Sequence, residues 1–222
     1  MTVVVWLLLY FTGVFNPGPT AVPYPAFVIL SVSMWQLFVG LFDQISRSLT
    51  LSGPMLTQAA FPHEILVVQK TALVLFNFLL PLLASLVVLL VYGSSFSVSS
   101  FLFLPALLPL ILFGISLGML FSIVEVLAVD FYHVAHRIIT GLLIYISPVV
   151  YSPQVSSPLL QSLMGFNPLS YLIDTPRALL LNQDFSSLTG FWISTSAVVL
   201  FFLLSLRIYL VGERQVIERI VV

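Results

Sequence analysis

Long, nearly unbroken hydrophobic stretches follow one another along the chain, separated by short segments rich in proline, glycine and serine. The hydrophobic positions do not alternate with polar ones, which favours membrane helices over the strands of a barrel. A helix needs about 20 apolar residues to cross a hydrocarbon core of about 30 Å. The pattern predicts an all-α integral membrane protein with about six transmembrane helices, in the stretches Met1–Phe15, Tyr24–Phe42, Ile65–Tyr92, Phe101–Val129, Val134–Val150 and Leu188–Leu210.

Composition supports this interpretation. Of the 222 residues, 60% are hydrophobic and 7% are charged, and the mean hydropathy is +1.16. Soluble domains are about one-quarter charged, and a soluble fold of this length cannot hide so much apolar surface. We expect a single membrane domain over residues 1–222. The net charge of −1 and the lack of a basic patch indicate no nucleic-acid partner.

The first hydrophobic stretch is short and begins at Met1 without a polar lead-in. A signal peptide is the alternative, but no Lys or Arg precedes the stretch and no cleavage-site pattern of small residues follows it. We therefore expect a first transmembrane helix that is truncated at its N-terminal end.

Basic residues predict the orientation in the membrane. Cytoplasmic loops carry an excess of Lys and Arg. Only Arg177 falls on one side of the predicted topology. The other side holds Arg47, Lys70, Arg137, Arg207, Arg214 and Arg219. The expected protein is multi-pass, with both termini cytoplasmic and one long outer loop after the fifth helix.

The outer loop, residues 152–187, is rich in proline and yet apolar. It is too apolar for a solvated loop, and its prolines interrupt it too often for a full transmembrane helix. We therefore expect a re-entrant helical hairpin between helices five and six. Asp174 and Arg177 are three residues apart and can pair on one helix face. The pair either fastens the hairpin in place, or Arg177 receives an anionic or hydroxyl-rich solute with its planar guanidinium.

The inner connections hold two further candidates. The segment before helix three, Phe61, Pro62, His63 and Glu64, is either a plain helix start or a docking element for a soluble partner. Asp130, His133 and His136 suggest metal ligands, but residues spaced by three fan out over about 120° of a helix. We therefore expect no metal site and assign Asp130 as a helix cap.

Some chemistry is excluded by the sequence itself. The chain has no cysteine, which rules out disulfides, cysteine-bound metals and a cysteine nucleophile. It contains no P-loop, no G-x-S-x-G and no H-E-x-x-H motif, so an enzyme is not expected. Gly114 and Gly118 form a G-x-x-x-G pair that permits close helix contact. Aromatic residues such as Tyr145 and Tyr151 either belong to an interfacial belt or stack on sugar rings.

Four stretches carry a family resemblance: VPYPAFVILSVSMWQLF, FPHEIL, DFYHVAHRIITGLLIYISPVVYS and FNPLSYLIDTPRALLL. Together they resemble the transmembrane permease subunit of ABC-2 type exporters. The branch concerned exports polysaccharides and polyol phosphates, such as O-antigen, capsule and teichoic acid. His63 stands where that family often has arginine, and the family's N-terminal cytoplasmic helix has no counterpart in the printed sequence.

The resemblance implies a homodimer in the bacterial cytoplasmic (inner) membrane, joined to ATP-binding subunits that hold ATP and magnesium, with no cofactor in this chain. The cargo would be a lipid-linked polysaccharide or polyol phosphate polymer. Phe61, Pro62, His63 and Glu64 would contact the ATP-binding subunit. The substrate path or outer gate would include Tyr145, Tyr151, Asn167, Pro168, Tyr171, Asp174 and Arg177. Two alternatives stay open: an ABC-2 permease for a small lipid or drug, and a truncated membrane scaffold that transports nothing.

Overall fold

A computed structural model describes residues 2–18, 20, 22–51, 64–94, 96–151, 158–183 and 187–220. Within these residues the chain forms helices and connecting loops without a strand, which confirms the all-α prediction. The helices are α1 Thr2–Phe11, α2 Tyr24–Ser46, α3 Glu64–Val91, α4 Phe103–Ala106, α5 Leu108–Leu127, α6 Val129–Arg137, α7 Leu143–Ile146, α8 Pro158–Phe166, α9 Pro168–Leu181 and α10 Leu188–Ile220. A 3-10 turn, Val98–Leu102, leads into α4, and a π turn, Ile138–Leu142, joins α6 to α7.

Four helical segments of the described chain are long and apolar enough to cross a membrane. They are α2, α3, the segment Ser100–Leu127 that ends with α5, and Leu188–Gly212 of α10. These segments have 23, 28, 28 and 25 residues, and about 20 residues are sufficient to cross the hydrocarbon core. The length and composition of these helices are therefore consistent with a membrane protein.

The first and fifth predicted spans are not among these four. Helix α1 has 10 residues, which is about half the length that a span needs. The fifth stretch begins earlier than predicted, at Val129, and its first nine residues, VDFYHVAHR, are polar on one side. The count of six spans stays a prediction.

Among the long helices, α2 packs against both α3 and α5, and α10 packs against α5. Close packing of α5 on α2 depends on two glycines. A Cβ atom at Gly118 would lie 2.6 Å from the Ile45 Cβ, and one at Gly114 would lie 3.1 Å from the Phe38 carbonyl oxygen. The prediction that the G-x-x-x-G pair permits close helix contact is confirmed.

Candidate functional site

Helices α8 and α9 form the region predicted to be a re-entrant hairpin. They have 9 and 14 residues, so neither can cross a bilayer that needs about 20. Helix α9 packs against the start of α10, the 3-10 turn, α4 and α2. The sequence prediction of two short helices in this loop is confirmed, while their depth in the membrane stays a prediction.

Asn167 connects the two short helices and caps the second. Its side-chain oxygen accepts a hydrogen bond from the Leu169 backbone N–H at 3.1 Å, and Pro168 occupies the first turn. Asn and a following Pro are both favoured at these positions. The Asn167 side-chain nitrogen also donates to the Ser147 hydroxyl at 2.9 Å, which ties α9 to the end of α7.

We expect Asn167→Ala to lower the free energy of unfolding by about 1 kcal/mol, the usual loss for a removed N-cap. Thermal unfolding of the purified protein in detergent measures this change. The control, Asn167→Asp, keeps the capping acceptor but loses the donor to Ser147, so it separates the two contacts. An alanine variant as stable as the original would contradict the capping role.

Arg177 and Asp174 form a buried ion pair that joins several elements. Arg177 is 2% exposed and Asp174 is 7% exposed. One guanidinium nitrogen of Arg177 donates to the Asp174 carboxylate. The other donates to the Ser31 hydroxyl at 3.0 Å and the Pro148 carbonyl at 2.8 Å. The predicted pairing is therefore present, and it fastens α9 to α2 and to the loop after α7.

The face of the Arg177 guanidinium lies over an aromatic ring, with its Cζ atom 4.2 Å from the Phe27 ring centre. A desolvated cation over a ring gains electrostatic attraction. Both terminal nitrogens and one face of the Arg177 guanidinium are therefore in contact with other groups. These contacts agree with the interpretation that the ion pair fastens the hairpin in place. Its role in receiving a solute stays a prediction, and such a role would require these contacts to open.

Tyr171 holds α9 between its two neighbours. Its hydroxyl donates to the Gly165 carbonyl at 3.0 Å, near the end of α8. Its ring rests against Gly190 of α10, where a Cβ atom would lie 2.4 Å from the ring. Tyr171 therefore fixes the spacing of three helices and is not free to swing towards a passing solute.

Tyr145 and Tyr151 form a second group at the end of α7. The Tyr151 hydroxyl donates to the Tyr145 carbonyl, and burial raises the pKa of Tyr151 above its usual value. Tyr151 therefore stays a neutral donor at physiological pH. The Tyr145 side chain is largely exposed. Its ring packs edge-on against that of Trp6 of α1, with the two ring centres 6.2 Å apart.

A cleft of about 180 Å³ with both polar and apolar lining lies beside the buried pair. Its lining contains Tyr171 and Asp174 but neither Tyr145 nor Tyr151, and the described residues that line it are Pro148, Gln161, Met164, Gly165, Ser170, Tyr171, Asp174 and Ser187. The Ser170 hydroxyl oxygen is buried and has no hydrogen-bond partner among the described residues. The cleft offers hydrogen-bonding groups, and its lining contains no histidine or lysine that would act as a base for Ser170.

The predicted contact with an ATP-binding subunit falls mostly outside the described residues, which exclude Phe61, Pro62 and His63. Glu64 is described. It begins α3 and is exposed, where a carboxylate interacts favourably with the helix dipole.

The Ser46 end of α2 forms a polar junction with α5 and α6. Asp43 contacts Arg47 and the His136 ring nitrogen, each at 2.8 Å, and the Ser46 and Tyr132 hydroxyls lie 2.9 Å apart. His136 thus pairs with α2. Within the described part of the chain, no group of three His, Cys, Asp or Glu residues is placed to hold a metal ion.

Sequence reasoning missed the partners of Arg177. Ser31 lies 146 residues earlier in the chain and belongs to a hydrophobic stretch that gives no sign of an arginine contact.

No protein-family model matches the chain, and a search of curated proteins finds no significant match.

Proposed function

We propose that this chain is the membrane-spanning subunit of an ATP-driven exporter for a lipid-linked polysaccharide or polyol phosphate polymer. The observation that carries the proposal is the pair of short helices α8 and α9, fastened to the bundle by the buried Arg177. Irregular backbone at membrane depth is tolerated where it is buried in protein or lines a cavity. In the proposed topology, the cleft beside Asp174 would be such a cavity.

In the proposed topology the first and fifth stretches complete six spans, and both termini face the cytoplasm of a bacterium. The α8–α9 pair then lies on the outer side and forms the gate. The polar junction around Asp43 and His136 lies on the inner side. Two copies of the chain flank the path, and each contacts an ATP-binding subunit through residues 61–64.

The arrangement suggests how movement would reach the gate. Helix α2 contacts the inner junction through Asp43 and Ser46 and contacts the gate through Ser31 and Phe27. A shift of α2 driven from the inner side therefore acts directly on α9. ATP hydrolysis takes place in the partner subunit, and this chain supplies the path and the coupling.

Co-purification tests the proposal. The tagged full chain is extracted gently from native membranes, and the proteins that accompany it are identified. We expect an ATP-binding subunit that is lost in a Phe61→Ala, Glu64→Ala variant. The control, Phe166→Ala, changes a highly exposed residue at the end of α8 and should retain the partner. A folded, membrane-inserted chain without an ATP-binding partner would contradict the proposal.

One observation favours a second candidate, a permease for a small lipid. An apolar groove of about 410 Å³ lies between α3, α5 and α10, lined by Val68, Ile115, Met119, Phe202 and Leu206 among others. Such a groove matches an alkyl chain. Reconstituting the co-purified complex with a fluorescent short-chain lipid, and separately with a lipid-linked glycan, distinguishes the two cargoes by which one is moved.

A further inference from the structure

A second cavity lies between α2 and α3, and its described lining includes no residue of α8 or α9. It has a volume of about 220 Å³ and is lined by Gln36, Leu37, Gly40, Gln44, Val74, Asn77, Phe78 and Pro81. We call it the amide groove, after the side chains of Gln36, Gln44 and Asn77. Both helices that form it are long and apolar enough to cross a membrane.

No hydrogen bond joins these three amide side chains to another described residue; Gln44 is half-buried, while Gln36 and Asn77 are exposed at the open side of the groove. An amide placed in a hydrocarbon environment without a partner costs several kcal/mol. Pro81 adds to this deficit, because proline has no N–H and cannot bond to the carbonyl four residues earlier, that of Asn77. The groove therefore presents donors and acceptors that require a polar occupant.

The groove lies deep in the span and stays open because of a glycine. Gln36 is 12 residues from the start of α2 and Asn77 is 13 residues from the start of α3. At a rise of about 1.5 Å per residue, each lies about 20 Å along its helix, near the middle of a bilayer. Gly40 forms the floor, where an added Cβ atom would lie 3.2 Å from a Val74 methyl group.

We infer that the amide groove binds a neutral, hydroxyl-bearing unit such as a single sugar ring of the cargo, an inference that rests on the proposed export function. Amide oxygens accept and amide nitrogens donate, which complements hydroxyl groups that do both. No charged side chain is among the described residues that line the groove, and Lys70 lies seven residues, about two turns of α3, before Asn77. An anion at this depth of a bilayer without a cation beside it is strongly disfavoured, so we expect the groove to select neutral sugars over polyol phosphates.

Binding to the full chain in nanodiscs of phosphatidylglycerol tests the inference. The neutral probe is maltotetraose and the anionic probe is a glycerol phosphate oligomer, both followed by saturation-transfer NMR. We expect maltotetraose to bind and the phosphate oligomer not to bind at this groove. Gln36→Leu and Asn77→Leu should each weaken maltotetraose binding about fivefold, as expected for one lost hydrogen bond. The matched control is Gln69→Leu, an exposed amide of α3 outside the groove.

Several results would overturn the inference. One is binding of the phosphate oligomer as strong as that of maltotetraose. Another is unchanged maltotetraose binding in both leucine variants. A third is that the leucine variants convert a dimer into a monomer while maltotetraose binding stays the same. Gly40→Ala narrows the groove while leaving its amides in place. It should also weaken binding, so the test does not depend on a variant that fails to fold.

Sugar hydroxyls also occur on membrane glycolipids, so a second set of nanodiscs contains glucosyl diacylglycerol. Unchanged maltotetraose binding there supports the assignment to cargo, and its displacement would assign the groove to a membrane lipid instead. If maltotetraose binds as expected but no ATP-binding subunit co-purifies with the chain, the proposed exporter function fails while the groove assignment stands.

Discussion

Replacing Arg177 with methionine is expected to lower the free energy of unfolding by about 3–5 kcal/mol, the range found when one partner of a buried ion pair is removed. The Asp174 carboxylate would keep its buried position, at 7% exposure, without its cation. The Ser31 hydroxyl and the Pro148 carbonyl would each lose a donor. Chemical unfolding in detergent, followed by circular dichroism, measures the loss.

The matched control is the double variant Asp174→Leu, Arg177→Met. Removing both charges restores part of the stability, because an apolar pair of similar volume is often as stable as a buried ion pair. Arg177→Lys should not substitute, since a lysine cannot bond to acceptors on two sides with a planar fork. A stable Arg177→Met protein that merely fails to export would contradict the fastening role and support direct contact with a solute.

Replacing Gly118 with alanine is expected to destabilise the protein by about 1–3 kcal/mol, the range for inserting a group into a packed core. The added Cβ atom would lie 2.6 Å from the Cβ of Ile45 and 3.3 Å from the Leu41 carbonyl oxygen. Atoms attached so closely to the backbone cannot rotate away, so α5 and α2 must separate. The midpoint of thermal unfolding in detergent should fall accordingly.

Gly141→Ala is the control for this prediction, because nothing lies within 4 Å of the added atom. Alanine is favoured over glycine in helices by about 0.5–1 kcal/mol, so this variant should be unchanged or slightly more stable. Adding Ile45→Ala to Gly118→Ala removes the Ile45 Cγ2 atom, 2.9 Å away, but keeps the Cβ atom at 2.6 Å, so it should not restore the stability. Equal stability of the Gly118 and Gly141 variants would show that the close contact is not required.

Hydrophobic length predicted the four long helices well. The starts of α2 at Tyr24 and α10 at Leu188 agree with the sequence prediction, and α3 begins one residue earlier than expected, at Glu64. Helix α2 continues four residues past the predicted end at Phe42. Two contacts of Asp43 support these residues: a local i,i+4 pair with Arg47 and a tertiary contact with His136 of α6. A hydropathy pattern contains no information about either.

For the fifth segment, hydropathy predicted both the start and the end incorrectly. The prediction placed it at Val134–Val150, while the helical chain runs from Val129 and ends at Ile146. The start is held by polar contacts of Tyr132 and His136 with α2. The end follows from Pro148, since the residue before a proline avoids the helical region, and Ser147 is extended with ψ 146°.

In the candidate site, the Asp174–Arg177 contact was predictable because residues three apart on a helix meet. The Asn167 cap was readable from the sequence Asn-Pro before an apolar run. The contacts of Arg177 with Phe27, Ser31 and Pro148 were not readable, because they join parts of the chain that only the folded packing brings together.

The burial of α2 has a consequence for synthesis, since helices α3, α5, α6 and α9 that cover it all come later in the chain. While the ribosome completes them, the faces of α2 that these helices later cover are exposed to lipid. Its serine hydroxyls are satisfied within the helix: Ser31 bonds to the Phe27 carbonyl at 2.9 Å, and Ser33 bonds to the Ile29 carbonyl at 2.7 Å. Helix α2 can therefore stay in the bilayer with these serine hydroxyls satisfied until Arg177, made 146 residues after Ser31, is inserted.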